Sequence, residues 1–441
     1  MTRTGSALIG LALLAVAATS GPALAQPADP AIAYVVKPGD NLFTLGQAYL
    51  LRPGDFRLVQ KANHIADPHR LRVGSTVMFD ASLLKSTPTD ARISAVSGEV
   101  LINAGGRTTR AVVGMAVSEG EVIVTGANAF VTFELADESR VTLPSVSTVR
   151  IVRLRAIALT DAVQRVFAID DGRADITAAH DGNTNARFEV RTPLSVSAVR
   201  GTEFRVSEDA AAHRAATEVV QGGVGVAAGR GETLVPQNFG VSATGAGLSG
   251  LVALLPAPQL VRGGRDQEEP AVTFQAQPTP GAGSYRLQLA NDAGFVDIFA
   301  EAVSPTGAFS FQGVADGTYF ARATAIDPGG IEGLPAVYSF QRELNTLDPG
   351  QPPKGETVGK MHRFLFRWSA SGEGVRTYRF QLFAAADPNT AIVDLPGLSQ
   401  PQVTVTDLAS GDYAWRVTAI RFKNGRFTEK AGALQTLRIG E

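Results

Sequence analysis

The 441-residue chain contains no cysteine. That absence excludes disulfides, thiolate nucleophiles, thiolate metal sites and a lipidated cysteine behind an export signal. Neither sign of charge dominates: 40 Lys and Arg face 42 Asp and Glu, and no basic run gathers the cations. A nucleic-acid partner is not expected, because phosphate binding needs concentrated positive charge. Histidine is scarce. None of His64, His69, His180, His213 and His362 stands in an H-E-x-x-H spacing. There is no Gly-x-Ser-x-Gly elbow. The stretch from Asp181 to Asn185 starts like a calcium loop, but Ala186 and Thr192 stand where that loop needs Gly and Glu, and the stretch reads as a solvated turn. Gly223-Val224-Gly225 mimics part of a dinucleotide fingerprint without a helical pattern behind it. Carboxylates are plentiful, yet a glycosidase pair is defined only by the fold that places it. No catalytic residue, metal set or cofactor is assigned, and no enzyme is expected.

Long apolar runs are missing beyond the N-terminus. Arg3 precedes an apolar run over residues 7–18, and Ala23-Leu24-Ala25 supplies small residues at a cleavage position. This reads as a signal peptide over residues 1–25, with Gln26 as the mature start. The run is short for a spanning helix of about 20 residues. The expectation is an exported chain with no transmembrane segment after cleavage.

What remains is rich in Val, Thr, Ala and Gly, the composition of short strands joined by turns. The fold class expected is mainly β and multidomain.

The first domain is expected over residues 33–80. Tyr34-Val35-Val36 reads as a strand, and Pro38-Gly39 ends it. Asp40 or Asn41 caps a helix with Leu42, Leu45 and Tyr49 on its apolar face. Pro53-Gly54 breaks the chain, and Asp55 is placed to cap a second helix carrying Leu58, Val59 and Ala62 on one side and ending at Asn63. Gly74 turns into a last strand, residues 76–79. This β-α-α-β order, with Val36-Lys37-Pro38-Gly39-Asp40-Asn41-Leu42, Ala62-Asn63 and the stretch from Asp67 to Gly74, resembles the lysin motif (LysM), a module that binds N-acetylglucosamine-containing glycans such as peptidoglycan. Two positions depart from the family: Asn41 stands for the usual Thr or Ser, and Phe43 for Trp or Tyr. The resemblance implies a shallow groove between the loop after the first strand and the loop before the second. Its residues here are Gly39, Asp40, Asn41, Leu42 and Phe43, facing Asn63, His64, Ile65, Arg70 and Leu71. Phe43 is the expected exposed wall, with Ile65 and Leu71 opposite. The alternative for the same fold is a spacer without a ligand.

Residues 81–91 read as a linker, and residues 92–246 as one β-rich domain, a sandwich or roll. Arg187-Phe188-Glu189-Val190-Arg191 alternates charge and apolar side chains, as a strand with one solvated face does. Val96-Ser97-Gly98-Glu99-Val100, the run from Val122 to Gly126, and Thr192-Pro193 followed by Ala198-Val199-Arg200-Gly201-Thr202-Glu203-Phe204 resemble the FecR-like domain of bacterial periplasmic proteins. The resemblance implies a protein-binding or scaffold role. The best-known members signal through a spanning helix and a cytoplasmic segment, neither of which is expected here. Arg200 is expected to pair with a carboxylate, and Gly201 to permit a tight backbone path.

After a Gly/Pro/Leu linker over residues 245–264, the chain repeats itself. Ser284-Tyr285-Arg286-Leu287-Gln288-Leu289 matches Thr377-Tyr378-Arg379-Phe380-Gln381-Leu382, and the Gly317 to Ile326 run matches Gly411 to Ile420. An offset of about 93 residues suits tandem β-sandwiches. The copies, residues 265–344 and 357–441, resemble fibronectin type III-like domains and are expected to be separable in the Pro/Gly stretch 345–354. Trp368 and Trp415 are expected in the second core.

Together these features point to a non-enzymatic periplasmic envelope protein that holds peptidoglycan through its LysM module and presents β domains to other envelope proteins. A FecR-type sensor acting through a membrane partner is the alternative, and a peptidoglycan hydrolase the third reading.

Overall fold

The computed structural model describes residues 31–440, apart from residues 181, 200, 262–265, 359 and 360. The expected signal peptide, Asp181 and Arg200 lie outside the described residues. The chain forms two units, one of residues up to 86 with residues 157–161, the other of residues 87–156 and 162 onward.

In the first unit, Ala31–Val35 and Thr76–Asp80 pair antiparallel, with Tyr34 opposite Val77. Between them lie the helices Leu42–Tyr49 and Phe56–Ala62, separated by a short turn of helix at Pro53–Asp55. Alternation in both strands sends Ile32, Tyr34, Val77 and Phe79 inward to meet Leu42, Leu45 and Val59. Two expectations for the second helix fail. Asp55 makes no side-chain cap, and Leu58 and Ala62 are exposed, leaving Val59 as the buried residue of the helix with half-buried Phe56 beside the core. A seven-residue helix makes only two turns, and its inner face is set by Phe56 and Val59, three apart. Ile157 and Leu159 complete this core, and the Ala158 N–H donates to the Lys85 carbonyl.

The second unit begins with a closed roll of two sheets. They share the strand Val163–Thr177. Its first half pairs antiparallel with Ser147–Ile157 and parallel with Arg187–Arg191. Its second half pairs with Arg140–Leu143 and Glu203–Asp209 in the other sheet. The strand turns this corner at Gly172, whose φ is +87° and whose absent Cβ would lie 2.4 Å from the Val146 carbonyl oxygen. Only glycine fits there. Apolar side chains from both sheets, among them Phe133, Phe167, Phe188 and Phe204, fill the space between them. The Arg187–Arg191 strand corrects its sequence reading. It lies inside the sheet, Glu189 is fully buried, and Arg187 and Arg191 both pair with it. A carboxylate flanked by two arginines alternates as a solvated face does, yet its charge is neutralised inside.

The two repeats are sandwiches of matching register. Tyr285 faces Ala325 in the first, and Tyr378 faces Ala419 in the second. In each, a tyrosine two residues into the strand after a glycine donates its hydroxyl to a carbonyl four residues back: Tyr319 to Ala315 at 3.2 Å and Tyr413 to Ala409 at 2.8 Å. This tyrosine corner belongs to immunoglobulin-like sandwiches. Trp368 and Trp415 are buried in the second core, as expected.

The stretches expected to be linkers are built into sheets. Val252–Ala253 pairs with Phe239–Thr244, and Leu260–Val261 with Val272–Ala276. Thr346–Asp348 pairs with Ser369–Ser371, and Asn345 is buried, accepting from Lys430. Pro and Gly break periodic patterns at sheet edges as they do in linkers, so composition could not separate the two.

The first repeat is also joined to the roll by charge. Glu332 is 2 % exposed and pairs with Arg173, with Arg205 at 3.2 Å and with Arg286 at 3.1 Å. The Thr324 hydroxyl donates to it at 2.7 Å, and its own N–H donates to Glu218. Apolar contacts flank this network: Phe130 with Phe295 and Ile298, and Ala216 with Leu254 and Ile331. Two largely polar sheet faces are thus interlocked. A cut between them would strand buried charges, so clean separation of residues 265–344 is not expected.

Candidate functional site

The groove expected in the first unit is built from two loops that the fold holds side by side. The Leu42 N–H, at the start of the first helix, donates to the Pro68 carbonyl at 2.9 Å. One end of the loop after the first strand is thereby fixed to the loop before the second. Residues 67–70 turn through the Asp67 carboxylate, which accepts the His69 N–H at 2.9 Å, and through the Arg70 N–H donating to the Asp67 carbonyl. The Gly74 N–H donates to the Val36 carbonyl, and the Val36 N–H to the Ser75 carbonyl, so the far ends are tied as well.

The side chains assigned to the groove divide into three groups. Three polar ones are engaged in structure. Asn41 caps the first helix, accepting the Thr44 N–H at 2.8 Å, and Thr44 returns the bond to the Asn41 N–H, completing a capping box. Asp40 accepts the Lys37 N–H at 2.7 Å and the Tyr34 hydroxyl at 2.8 Å. Asn63 holds Met78 at both its N–H and its carbonyl, pinning the second helix to the last strand. Three apolar ones are part of the interior or its margin: Leu42 is 1 % exposed, and Ile65 and Leu71 pack half-buried against the core. The rest are open. Phe43 is 45 % exposed with its ring edge-on to Phe56, and His64 and Arg70 face solvent. At Gly39, φ is +91° and no atom lies within 4 Å of where a Cβ would stand. The space over that turn is clear.

Sequence reasoning missed the supports behind this surface. Lys85 donates to the Gln47 and Ala48 carbonyls at the end of the first helix, at 3.0 and 2.9 Å. Ile157 and Leu159 arrive from far along the chain, and no local signal marks them.

Burial, followed by the bond to Asp40, pushes the Tyr34 hydroxyl up to about 12. A folded-state value above that of the unfolded chain favours the protonated form. The stabilisation is therefore complete below pH about 10 and is lost as pH rises through about 12. Spectrophotometric titration should show one tyrosine ionising near pH 12, and Tyr34→Phe should remove that step.

Residues 34–78 match the family model described as LysM domain, and residues 121–225 match the one described as FecR protein. No curated protein matches. Among solved structures, the chain is similar to a putative anti-sigma factor from Parabacteroides distasonis, at 18 % identity and a TM-score of 0.26, covering 30 % of this chain and 59 % of that one. It therefore spans less than two thirds of that protein. It is also similar to a segment of two fibronectin type III domains from chicken tenascin (16 % identity, TM-score 0.21, 42 % and 99 % covered). A third neighbour comprises the fibronectin(III)-like modules of Clostridium thermocellum CbhA (12 % identity, TM-score 0.20, 41 % and 90 % covered). The chain thus carries a LysM domain and a FecR-like segment, followed by the two sandwiches with tyrosine corners. Among the described residues, no helix is long and apolar enough to cross a membrane.

Proposed function

We propose that the protein is a non-enzymatic periplasmic protein that holds peptidoglycan through the groove of its first unit and offers its β domains to envelope partners. One observation supports the reading: within the residues of the LysM match, the two loops expected to form the groove are bonded to each other at Leu42 and Pro68, and the turn at Gly39 and the Phe43 ring are open. Three polar side chains of the groove are already bonded, so recognition rests on backbone N–H and C=O groups and on the aromatic wall. LysM, FecR and fibronectin type III-like domains are binding or regulatory types, which supports a role without catalysis. LysM and FecR domains occur in extracellular and periplasmic proteins, which supports the location.

Calorimetric titration of the full chain with chitopentaose, a soluble N-acetylglucosamine oligomer, tests the ligand class. Saturable binding is expected, weakened about tenfold by Phe43→Ala, equivalent to about 1.4 kcal/mol. Absence of binding to the wild-type protein would reject the reading. The FecR match favours a second reading, a sensor acting through a membrane partner. Recovery of one membrane protein by cross-linked pull-down, dependent on residues 121–225, would support it.

A further inference from the structure

A cavity of about 280 Å³ opens where the polar face of the roll leaves the cover of the first repeat. Its floor follows from strand register. Arg140, Thr177 and Glu203 are cross-strand neighbours on three adjacent strands, and Thr142, Asp175 and Arg205 form the next row on the same face. The inner row is engaged with the repeat: Asp175 pairs with Arg322 at 2.8 Å, and Arg205 with Glu332. The outer row is not. Among the described residues neither Arg140 nor Glu203 makes an ion pair, and strand spacing sets their backbones about 10 Å apart. Phe295, from the loop of the repeat that roofs the cavity, stacks against the Arg322 guanidinium at 4.7 Å and keeps that cation in place.

The site therefore presents a free cation and a free anion on strands two apart. A phosphate or other simple anion would meet Asp175 and Glu203. A neutral sugar would leave both free charges without a counter-ion. A short peptide with free ends carries both complements: a carboxylate for Arg140 and an ammonium for Glu203. We propose that this cavity binds a short zwitterionic peptide. Ligand pockets typically measure about 300–1,000 Å³, so this one admits only two or three small residues.

Calorimetry with trialanine on the full chain tests this, with N-acetyl-trialanine and trialanine amide as probes lacking one charge each. The wild type is expected to bind trialanine saturably and each blocked peptide at least about tenfold more weakly. Arg140→Gln should lose the preference for a free carboxylate, and Glu203→Gln the preference for a free amine, while Arg140→Lys restores the former in part. Gly39→Val should bind trialanine as the wild type does, which separates this site from the glycan groove. Absence of saturable trialanine binding, or full affinity in both neutralised variants, would overturn the proposal. Coincident thermal melts establish that the variants are folded, and the Arg140→Lys result decides the matter should Arg140→Gln melt early.

Discussion

Replacing Glu332 by alanine is expected to cost the second unit about 3–5 kcal/mol, the penalty for removing one partner from a buried ion pair. The magnitude follows from what remains. Arg173, Arg205 and Arg286 converge on this one carboxylate. Without it three guanidiniums stay close together, with Glu301, Asp175 and Glu218 as the counter-charges left nearby. Burial pushes the Glu218 carboxyl up, so that group is a weak substitute. The Thr324 hydroxyl also loses its acceptor. Urea denaturation would measure the loss as a fall in the transition midpoint. A change under about 1 kcal/mol would mean that the apolar flanks hold the first repeat to the roll without help from the charges. Limited proteolysis gives the complementary result, with cleavage between roll and repeat rare in the wild type and frequent in the variant.

The second large effect is expected in the LysM module. On sequence grounds Ile65 and Leu71 are the apolar wall of the groove, replaceable by aspartate without harm to the fold. Their half-burial against the core changes that expectation. Ile65→Asp with Leu71→Asp removes two apolar side chains from the margin of the core and places two carboxylates there, and the two losses together approach the marginal stability of a small module. The module is expected to unfold in the full chain, with loss of several kcal/mol and exposure of Tyr34 to ordinary titration. Retention of the high-pH tyrosine step in the double variant would show the two side chains to be free of the core.

The order of elements was legible because its signals are local. Pro38-Gly39 and Pro53-Gly54 punctuate the helices, alternation marks the strands, and the repeated Tyr-x-x-Arg-x-x-Ala-Ile run exposes the two sandwiches. The site was legible only as loops. Which side chains face a ligand depends on bonds made across the fold: Asp40 to Tyr34, Asn63 to Met78, Leu42 to Pro68. None of these spacings carries a pattern. The interlock at Glu332 was illegible for the same reason, since its three arginines lie 159, 127 and 46 residues away. The core of the module likewise borrows Ile157 and Leu159 from far along the chain. Excising residues 26–90 would remove the cover from those two side chains, so point variants in the full chain are the cleaner tools.

Co-sedimentation of the full chain with purified peptidoglycan sacculi tests the central claim most directly, using Gly39→Val as the comparison. At a φ of +91°, valine is strained by about 1–3 kcal/mol, and its side chain projects into the clear space over the turn. Saturable pelleting of the wild type is expected, with no muropeptides released to the supernatant. The Gly39→Val protein should stay in solution with an unchanged circular dichroism spectrum. Equal pelleting of both proteins would contradict the account, as would sustained release of muropeptides that a single carboxylate substitution abolishes.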